Sequence, residues 1–405
     1  MAAGRMPPFK QGRREVLAKP AQALYCVEFN LVDHRYKHIL AACGSNKVYV
    51  LRADPEDEGV QLLHTFVDED PAEEYYCLKW VLDLPNLSQG ARSTRQAARQ
   101  EDESTAEPSR PLLLVAGWTG VVKLLDVGSG GNAVHRWIGH GKSINEIGLH
   151  PGGELFATAS KDESVRVWNL KTRVCVLVLG GEGGHSNEVV SLDFTLQGHR
   201  LLTCGVDKII KIWDMAAHDD ILTESQQYSG PPSAFRTRRV QVPLLSTSAL
   251  HPNYVDCIRC YGDLAFSKSL DNKVTLWKPE FSPYYQMDTV SALREFELRE
   301  CNLWFIKFCL DPEFRYLALG NAKGKIFVFD IKTPGLKKTL VNRGVHGPVR
   351  QTSFNASSTV LVGCCEDGSI VRWDLETHQT ESERQAMLLF GSPLDKRKDP
   401  AKRPA

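Results

Sequence analysis

The chain has 405 residues, 42% of them hydrophobic, enough for a large buried core, with no apolar run long enough to cross a membrane. Lys plus Arg equals Asp plus Glu at 49 each. The formal net charge is therefore zero, without the basic excess of a protein that holds nucleic acid mainly through phosphates. Direct sequence-specific DNA binding and membrane association are accordingly not expected. Eleven cysteines are scattered without a disulfide framework, which suits a reducing compartment such as cytosol or nucleus.

From the N-terminus, "MAAGRMPPFKQGRREV" lacks the apolar segment of a secretory signal, and residues 1–23 read as a tail. Weak copies of a repeat follow, ending at Leu51 ("GSNKVYVL") and Leu125 ("GWTGVVKLLD"). Between them, residues 88–110 are polar, lack aromatics and read as a disordered insertion. Two full copies come next, "GHGKSINEIGLHPGGELFATASKDESVRVWNL" and "GHSNEVVSLDFTLQGHRLLTCGVDKIIKIWDM". In both, Gly-His, strand, turn, strand, Asp, strand and Trp recur in step, and Asp162 and Asp207 precede Trp168 and Trp213 at matching places. Residues 216–250 enlarge the connection to a fifth unit, which carries Asp271 and Trp277; the frame then continues with Phe329 in place of Trp, and with Asp367 and Trp373. Residues 376–405 form a basic tail whose "DKRKDPAKR" fits a nuclear import signal as well as a solvated end.

Seven units between residues 24 and 375, with Gly-His and Trp-Asp marks, resemble the WD40 repeat. A four-stranded antiparallel unit cannot bury its faces alone. Radial stacking buries them, so the expected fold is all-β, a seven-bladed WD40 β-propeller. The last repeat ends at its third strand, so the outer strand that closes the ring is expected from Arg13–Ala18 ("RREVLA"). In this frame His140 and His185, with Asp162 and Asp207, hydrogen-bond within a blade instead of catalysing. The glycine runs at 128–131 and 180–184 lie between repeats with no helix to follow, so they are turns and not phosphate cradles. Cys257 and Cys260 fall on opposite faces of one strand, which argues against a shared metal. No enzyme, metal or cofactor is expected.

Alignment on the apolar residue in mid inner strand (Phe29, Trp80, Leu149, Phe194, Cys260, Phe308 and Phe354) defines a column four places earlier. It reads Tyr25, Tyr76, Asn145, Val190, Asp256, Trp304 and Arg350. This is where each chain enters its inner strand at the channel mouth, and such positions carry binding more often than packing. Repeats six, seven, one and two are neighbours around a closed ring. They gather Trp304, its neighbour Phe305, Tyr25 and Tyr76 with Arg350 in one sector. Clustered aromatic faces suit a quaternary ammonium such as methylated lysine. Packing under a loop, or anchoring of an unmodified peptide, are the alternatives.

Together "IGHGKSINEI", "NYVDCIRCYGDLAFSKSLDN", "CNLWFIKF" and "VRQTSF" resemble the Extra sex combs, Embryonic ectoderm development and Fertilization-independent endosperm family, the WD-repeat subunits of Polycomb repressive complex 2. The resemblance implies a nuclear, non-catalytic scaffold in gene silencing. It implies as partners a SET-domain histone methyltransferase subunit of the Enhancer of zeste type, other subunits of the complex and a trimethylated histone H3 tail. It places an aromatic methyl-lysine cage on Tyr25, Tyr76, Trp304 and Phe305, with Asn145, Asp256, Lys307 and Arg350 around the pocket. Tyr25 is Phe in animal members, Phe305 is Tyr there and Lys307 is Arg; the first two exchanges keep an aromatic face, the third is not conservative toward a peptide backbone. The rival scaffold reading, a ubiquitin-ligase substrate receptor, finds no Trp-Asp-x-Arg: the repeat ends read "WNLK", "WDMA" and "WDLE". A generic peptide-binding propeller predicts equal affinity for modified and unmodified peptide.

Overall fold

The computed structural model describes residues 9–17, 22–82, 110–129, 133–281, 289–333 and 335–375. Short Val-, Leu- and Ile-rich runs between Gly, Asp and Ser turns pair as seven separate sheets, antiparallel but for one strand added to blade 3. In blade 1, Cys26–Phe29, Ile39–Gly44, Lys47–Arg52 and Gln61–Val67 are successive neighbours. The inner strands of blades 2 to 7 are Tyr75–Val81, Ile144–Leu149, Val189–Phe194, Val255–Tyr261, Phe308–Leu310 and Val349–Phe354. Burial falls from the channel outward: Val349–Phe354 is buried throughout, whereas Leu336–Val341, the outer strand of blade 6, buries only Leu340. The blades are fastened to one another by apolar clusters that combine residues of adjacent sheets. One holds Leu112, Leu114 and Val122 of blade 2 with Ile144, Phe156 and Trp168 of blade 3.

Within the two best repeats a polar chain joins the strands. Trp168 Nε1 donates to Thr158 Oγ1 at 2.9 Å, His140 Nε2 lies 2.7 Å from the same oxygen, and His140 Nδ1 lies 2.8 Å from Asp162. Blade 4 repeats this with Trp213, Thr203, His185 and Asp207 at 3.0, 2.8 and 2.8 Å. These histidines are buried and committed to their blades, which accounts for the recurring Gly-His, Asp and Trp spacing. The thiols of Cys257 and Cys260 point toward the Phe308 and Asp193 carbonyls respectively, on opposite sides of their strand, as alternation requires.

The connection at 216–250 is built and not merely long. Its helix Asp219–Gln227 buries Ile221 and Leu222 in the cluster of Val174, Val176 and Leu177, and Asn169 donates to Ser225 at 3.2 Å. Arg238–Val240 then pairs parallel with Cys175–Leu179 as a fifth strand of blade 3, before Leu245–Thr247 returns as the outer strand of blade 4. The expected closing strand needs correction. Blade 7 is completed from the N-terminus by Phe9–Gln11, with Glu15–Val16 as a second short pairing to the same strand, Ser369–Leu375. Between the two, the Gly12 N–H still donates to the Arg372 carbonyl of that strand, but the Arg13 N–H turns to the Glu58 carbonyl, so the pairing is broken before Glu15 instead of running on from Arg13 as one strand. The insertion at 88–110 (save residue 110) and the tail at 376–405 lie outside the described residues.

Candidate functional site

The mouth of the channel owes its shape to a repeated irregularity. In blades 2, 3, 4, 5 and 7 the pairing of inner and second strands slips by one residue at Tyr76, Asn145, Val190, Asp256 and Arg350. The slipped residue is a β-bulge, which re-aims its side chain away from the regular alternation. These are five of the seven column positions picked out from the sequence. In blade 1 Tyr25 directly precedes the strand, and its N–H donates to Cys43 at 2.9 Å.

Blade 6 differs. "CNLWFIKF" suggests a strand from its alternation, yet the strand begins only at Phe308. Phe305 has φ of +62°, left-handed backbone that is uncommon for a bulky side chain and costs about 1–2 kcal/mol. The Lys307 N–H then donates to the Arg350 carbonyl at 2.8 Å. In a regular strand Trp304 and Phe305 would face opposite sides. The left-handed turn brings both rings to the same cavity, with centroids 5.9 Å apart.

Tyr25, Tyr76 and Phe305 form three mutually edge-on walls. Centroids are 5.3 Å apart for the two tyrosines, 6.0 Å for Tyr25 with Phe305 and 5.9 Å for Tyr76 with Phe305. Phe305 is the floor at 6% exposure, while Trp304 stands at the rim at 45%. Together with Trp118, Ser143, Asn145, Lys161, Glu188 and Arg350 these rings line a cavity of about 240 Å³. Arg350 is largely buried. It donates to the Trp304 carbonyl at 2.9 Å and to Glu366 at 2.7 Å, and its guanidinium sits 5.8 Å from the Tyr25 centroid. Behind the tyrosines, Glu74 accepts the Tyr76 hydroxyl at 2.9 Å. Burial first, and the Glu74 carboxylate second, push the Tyr25 phenol up to about 12 and raise that of Tyr76 as well. Both rings are therefore neutral, with a carboxylate held close to them.

Two expected rim residues are corrected. Lys307 is 1% exposed and lies beneath the floor, with Nζ 4.6 Å from the Phe305 centroid, 2.9 Å from the Asn145 carbonyl and 3.3 Å from Glu146. Burial opposes ionisation of Glu146, but Arg259 and Lys307 hold its carboxyl down at about 2. Lys307 is thus part of the channel's ion-pair network and offers no surface to a peptide. Asp256 is 1% exposed and does not line the cavity; both its oxygens face Lys268 Nζ, at 2.8 and 2.9 Å. Among the described residues no group of three His, Cys, Asp or Glu side chains is placed to hold a metal.

Several lining residues were not singled out from the sequence: Trp118, Ser143, Lys161 and Glu188, with Glu74 behind. They belong to two further columns. One is the residue just past each second strand, where Trp118, Lys161, Val206, Leu270 and Glu366 stand. The N–H of each donates to a carbonyl in the approach to an inner strand, at Glu74, Ser143, Glu188, Tyr254 and Pro348. The carbonyl column stands two residues before each bulge, and the other stands one residue before the repeat's Asp (Thr119 in blade 2), so the repeat frame was sufficient to find them.

Comparison with known proteins agrees with this architecture. The "WD domain, G-beta repeat" family matches residues 131–169, 173–214 and 337–374. Polycomb group protein FIE2 of Zea mays is 37% identical, over 88% of each chain. Polycomb protein esc of Drosophila melanogaster is 35% identical over 87% of this chain and 81% of its own. Among solved structures, a chain of "Apo ctPRC2 in an autoinhibited state" superposes with a TM-score of 0.74, covering 92% of this chain and 99% of that one at 18% identity. A chain of "Structure of ctPRC2 in complex with H3K27me3 and H3K27M" gives 0.71, with 92% and 97% covered at 18% identity. At that identity the structures speak for the fold, and the curated relatives for descent: this chain belongs to the Polycomb FIE and esc family of WD-repeat proteins, which are not enzymes.

Proposed function

We propose that this protein is the WD-repeat subunit of Polycomb repressive complex 2 and reads trimethyl-lysine on the histone H3 tail. In this reading the aromatic sector binds the mark, the opposite side of the ring holds the SET-domain methyltransferase subunit of the Enhancer of zeste type, and binding promotes histone methylation and gene silencing in the nucleus. The observation that carries it is the trio of edge-on neutral rings beneath a half-exposed Trp304, all opening on one cavity. Membership of the Polycomb family supports the partners, and one structural neighbour is a complex with a trimethylated H3 peptide.

The chemistry follows from the rings. An ordinary ammonium has N–H groups that would be left without acceptors among aromatic faces, while a trimethylammonium has none. Its charge is spread over methyl groups that meet ring faces, each worth on the order of 2 kcal/mol when desolvated. Glu74 adds a nearby negative charge. Ordering a flexible peptide offsets much of this, so micromolar affinity is expected, roughly −7 to −8 kcal/mol. Linkage adds that a mark which activates the complex must bind the activated state more tightly. Calorimetric titration with unmodified and trimethylated H3 tail peptides checks the reading. Tighter binding of the trimethylated peptide, lost in Trp304→Ala, is expected; equal binding of both would leave an unspecialised peptide-binding propeller.

A further inference from the structure

The cavity is larger than its aromatic cage and has a second, polar half. Tyr25, Tyr76, Trp304 and Phe305 come from blades 6, 1 and 2, whereas Ser143, Asn145, Lys161 and Glu188 come from blades 3 and 4. Trp118 stands on blade 2 between the two halves and is 55% exposed. Unlike the other indoles and phenyl groups of the mouth, it makes no ring contact among the described residues.

The turn that presents this indole is fixed. Trp118 N–H donates to the Glu74 carbonyl at 2.9 Å, and Thr119 is held by the buried Glu73, its N–H at 3.3 Å and its hydroxyl also donating. Gly120 has φ of +74°, and a Cβ there would lie 2.5 Å from the Lys142 carbonyl of the neighbouring blade. A Cβ on Gly117 would lie 1.8 Å from the Glu74 carbonyl. Backbone packs closely against backbone on both sides of Trp118, which sets the ring at the edge of the cavity. More than half of this large apolar side chain is left uncovered in the free propeller.

We infer that Trp118 is a specificity-determining residue: it takes an apolar side chain of the peptide close in sequence to the trimethyl-lysine, while the polar half of the cavity receives the peptide backbone. This rests on the reader function proposed above. A peptide whose lysine enters the cage leaves by the open side toward blades 3 and 4 and passes the Trp118 face. Lys161 beside it disfavours a basic residue there, and Glu188 is engaged by Asn145, whose Nδ2 donates to it at 3.0 Å. At the exposed indole face itself an apolar contact is favourable, through burial of indole and side-chain surface together.

The test is a titration of the full chain and its Trp118→Ala, Trp118→Phe and Trp304→Ala variants against trimethyl-lysine peptides. The peptides carry either apolar residues or glycines on both sides of the modified lysine. The expected result is that Trp118→Ala weakens the apolar-flanked peptide by about five- to tenfold and leaves the glycine-flanked one unchanged. Trp118→Phe should keep most of the preference, and Trp304→Ala should weaken both peptides alike. Equal loss on both peptides in Trp118→Ala would make this residue a cage wall and overturn the assignment. No loss on either, with the wild type still preferring trimethylated over unmodified peptide, would overturn it and leave the reader function standing. A wild type that ignores methylation would remove both.

Discussion

Phe305 shows how one backbone angle can make a site. Its positive φ allows two adjacent large rings to share a cavity, and the segment is kept in place by the Lys307 N–H on Arg350 and by the Arg350 guanidinium on the Trp304 carbonyl. Glu74 has an equally local place, since its carboxylate accepts from the Tyr76 hydroxyl; in the proposed reader function it puts negative charge next to the bound cation. Glu74→Gln keeps an acceptor for the tyrosine but removes the charge. It should weaken trimethyl-lysine peptide binding about two- to fivefold in calorimetry, with no loss of fold; unchanged affinity would mean that the rings alone carry the attraction. The tyrosines also set a pH dependence. Their folded phenols ionise later than the usual value near 10, that of Tyr25 at about 12, so the unfolded state ionises first. The resulting stability is present below pH 10 and lost as pH rises toward 12. Peptide affinity should accordingly be flat from pH 7 to about 9.5, and a decline centred well below 10 would contradict neutral, buried phenols.

At the scale of the element, two devices recur, and they differed in how readable they were. The Trp, Thr, His and Asp chain is written into the sequence as fixed spacing, because it needs four particular side chains, two on strands and two in the adjoining loops. Thr203→Val keeps the shape but leaves Trp213 and His185 without their shared oxygen in a buried site. It should lower unfolding free energy by about 2–3 kcal/mol in a denaturant titration. A change under half that would show the chain to be dispensable. The bulge is not written as residue types: Tyr76, Asn145, Val190, Asp256 and Arg350 have nothing chemical in common. The repeat frame exposed their shared position but not its cause. It also gave no warning that Asp256 has Lys268 within reach, because that pairing is set by cross-strand register. Lys307 was misplaced for a related reason. The left-handed turn two residues earlier changes which way its side chain runs.

At the scale of the whole molecule, seven sheets in a ring were legible because repetition at near-constant spacing leaves few other ways to bury both faces of every sheet. The details of closure were not, because they depend on chain reach and backbone geometry and not on composition. Phe9–Gln11 and Glu15–Val16 both clip onto Ser369–Leu375, and Arg14 adds hydrogen bonds to Asp367 at 2.7 Å and to Ser369 at 3.0 Å. Across the same seam the buried Arg372 donates to the Asp54 carbonyl of blade 1 at 2.7 Å. Deletion of residues 1–17 should therefore lower stability by about 3 kcal/mol or more, seen as an earlier thermal transition. An unchanged transition would mean that the inter-blade clusters close the ring unaided.

In the proposed function the mouth recognises a cation by its charge and not only by its shape. The most direct measurement compares a trimethyl-lysine peptide with the same peptide carrying a neutral tert-butyl group in place of trimethylammonium. The two headgroups have nearly the same size, so a pocket that merely fits methyl groups should bind the neutral one as well or better. Attraction between the cation and the faces of Tyr25, Tyr76, Trp304 and Phe305 predicts at least tenfold weaker binding of the neutral peptide. Equal affinity would contradict it.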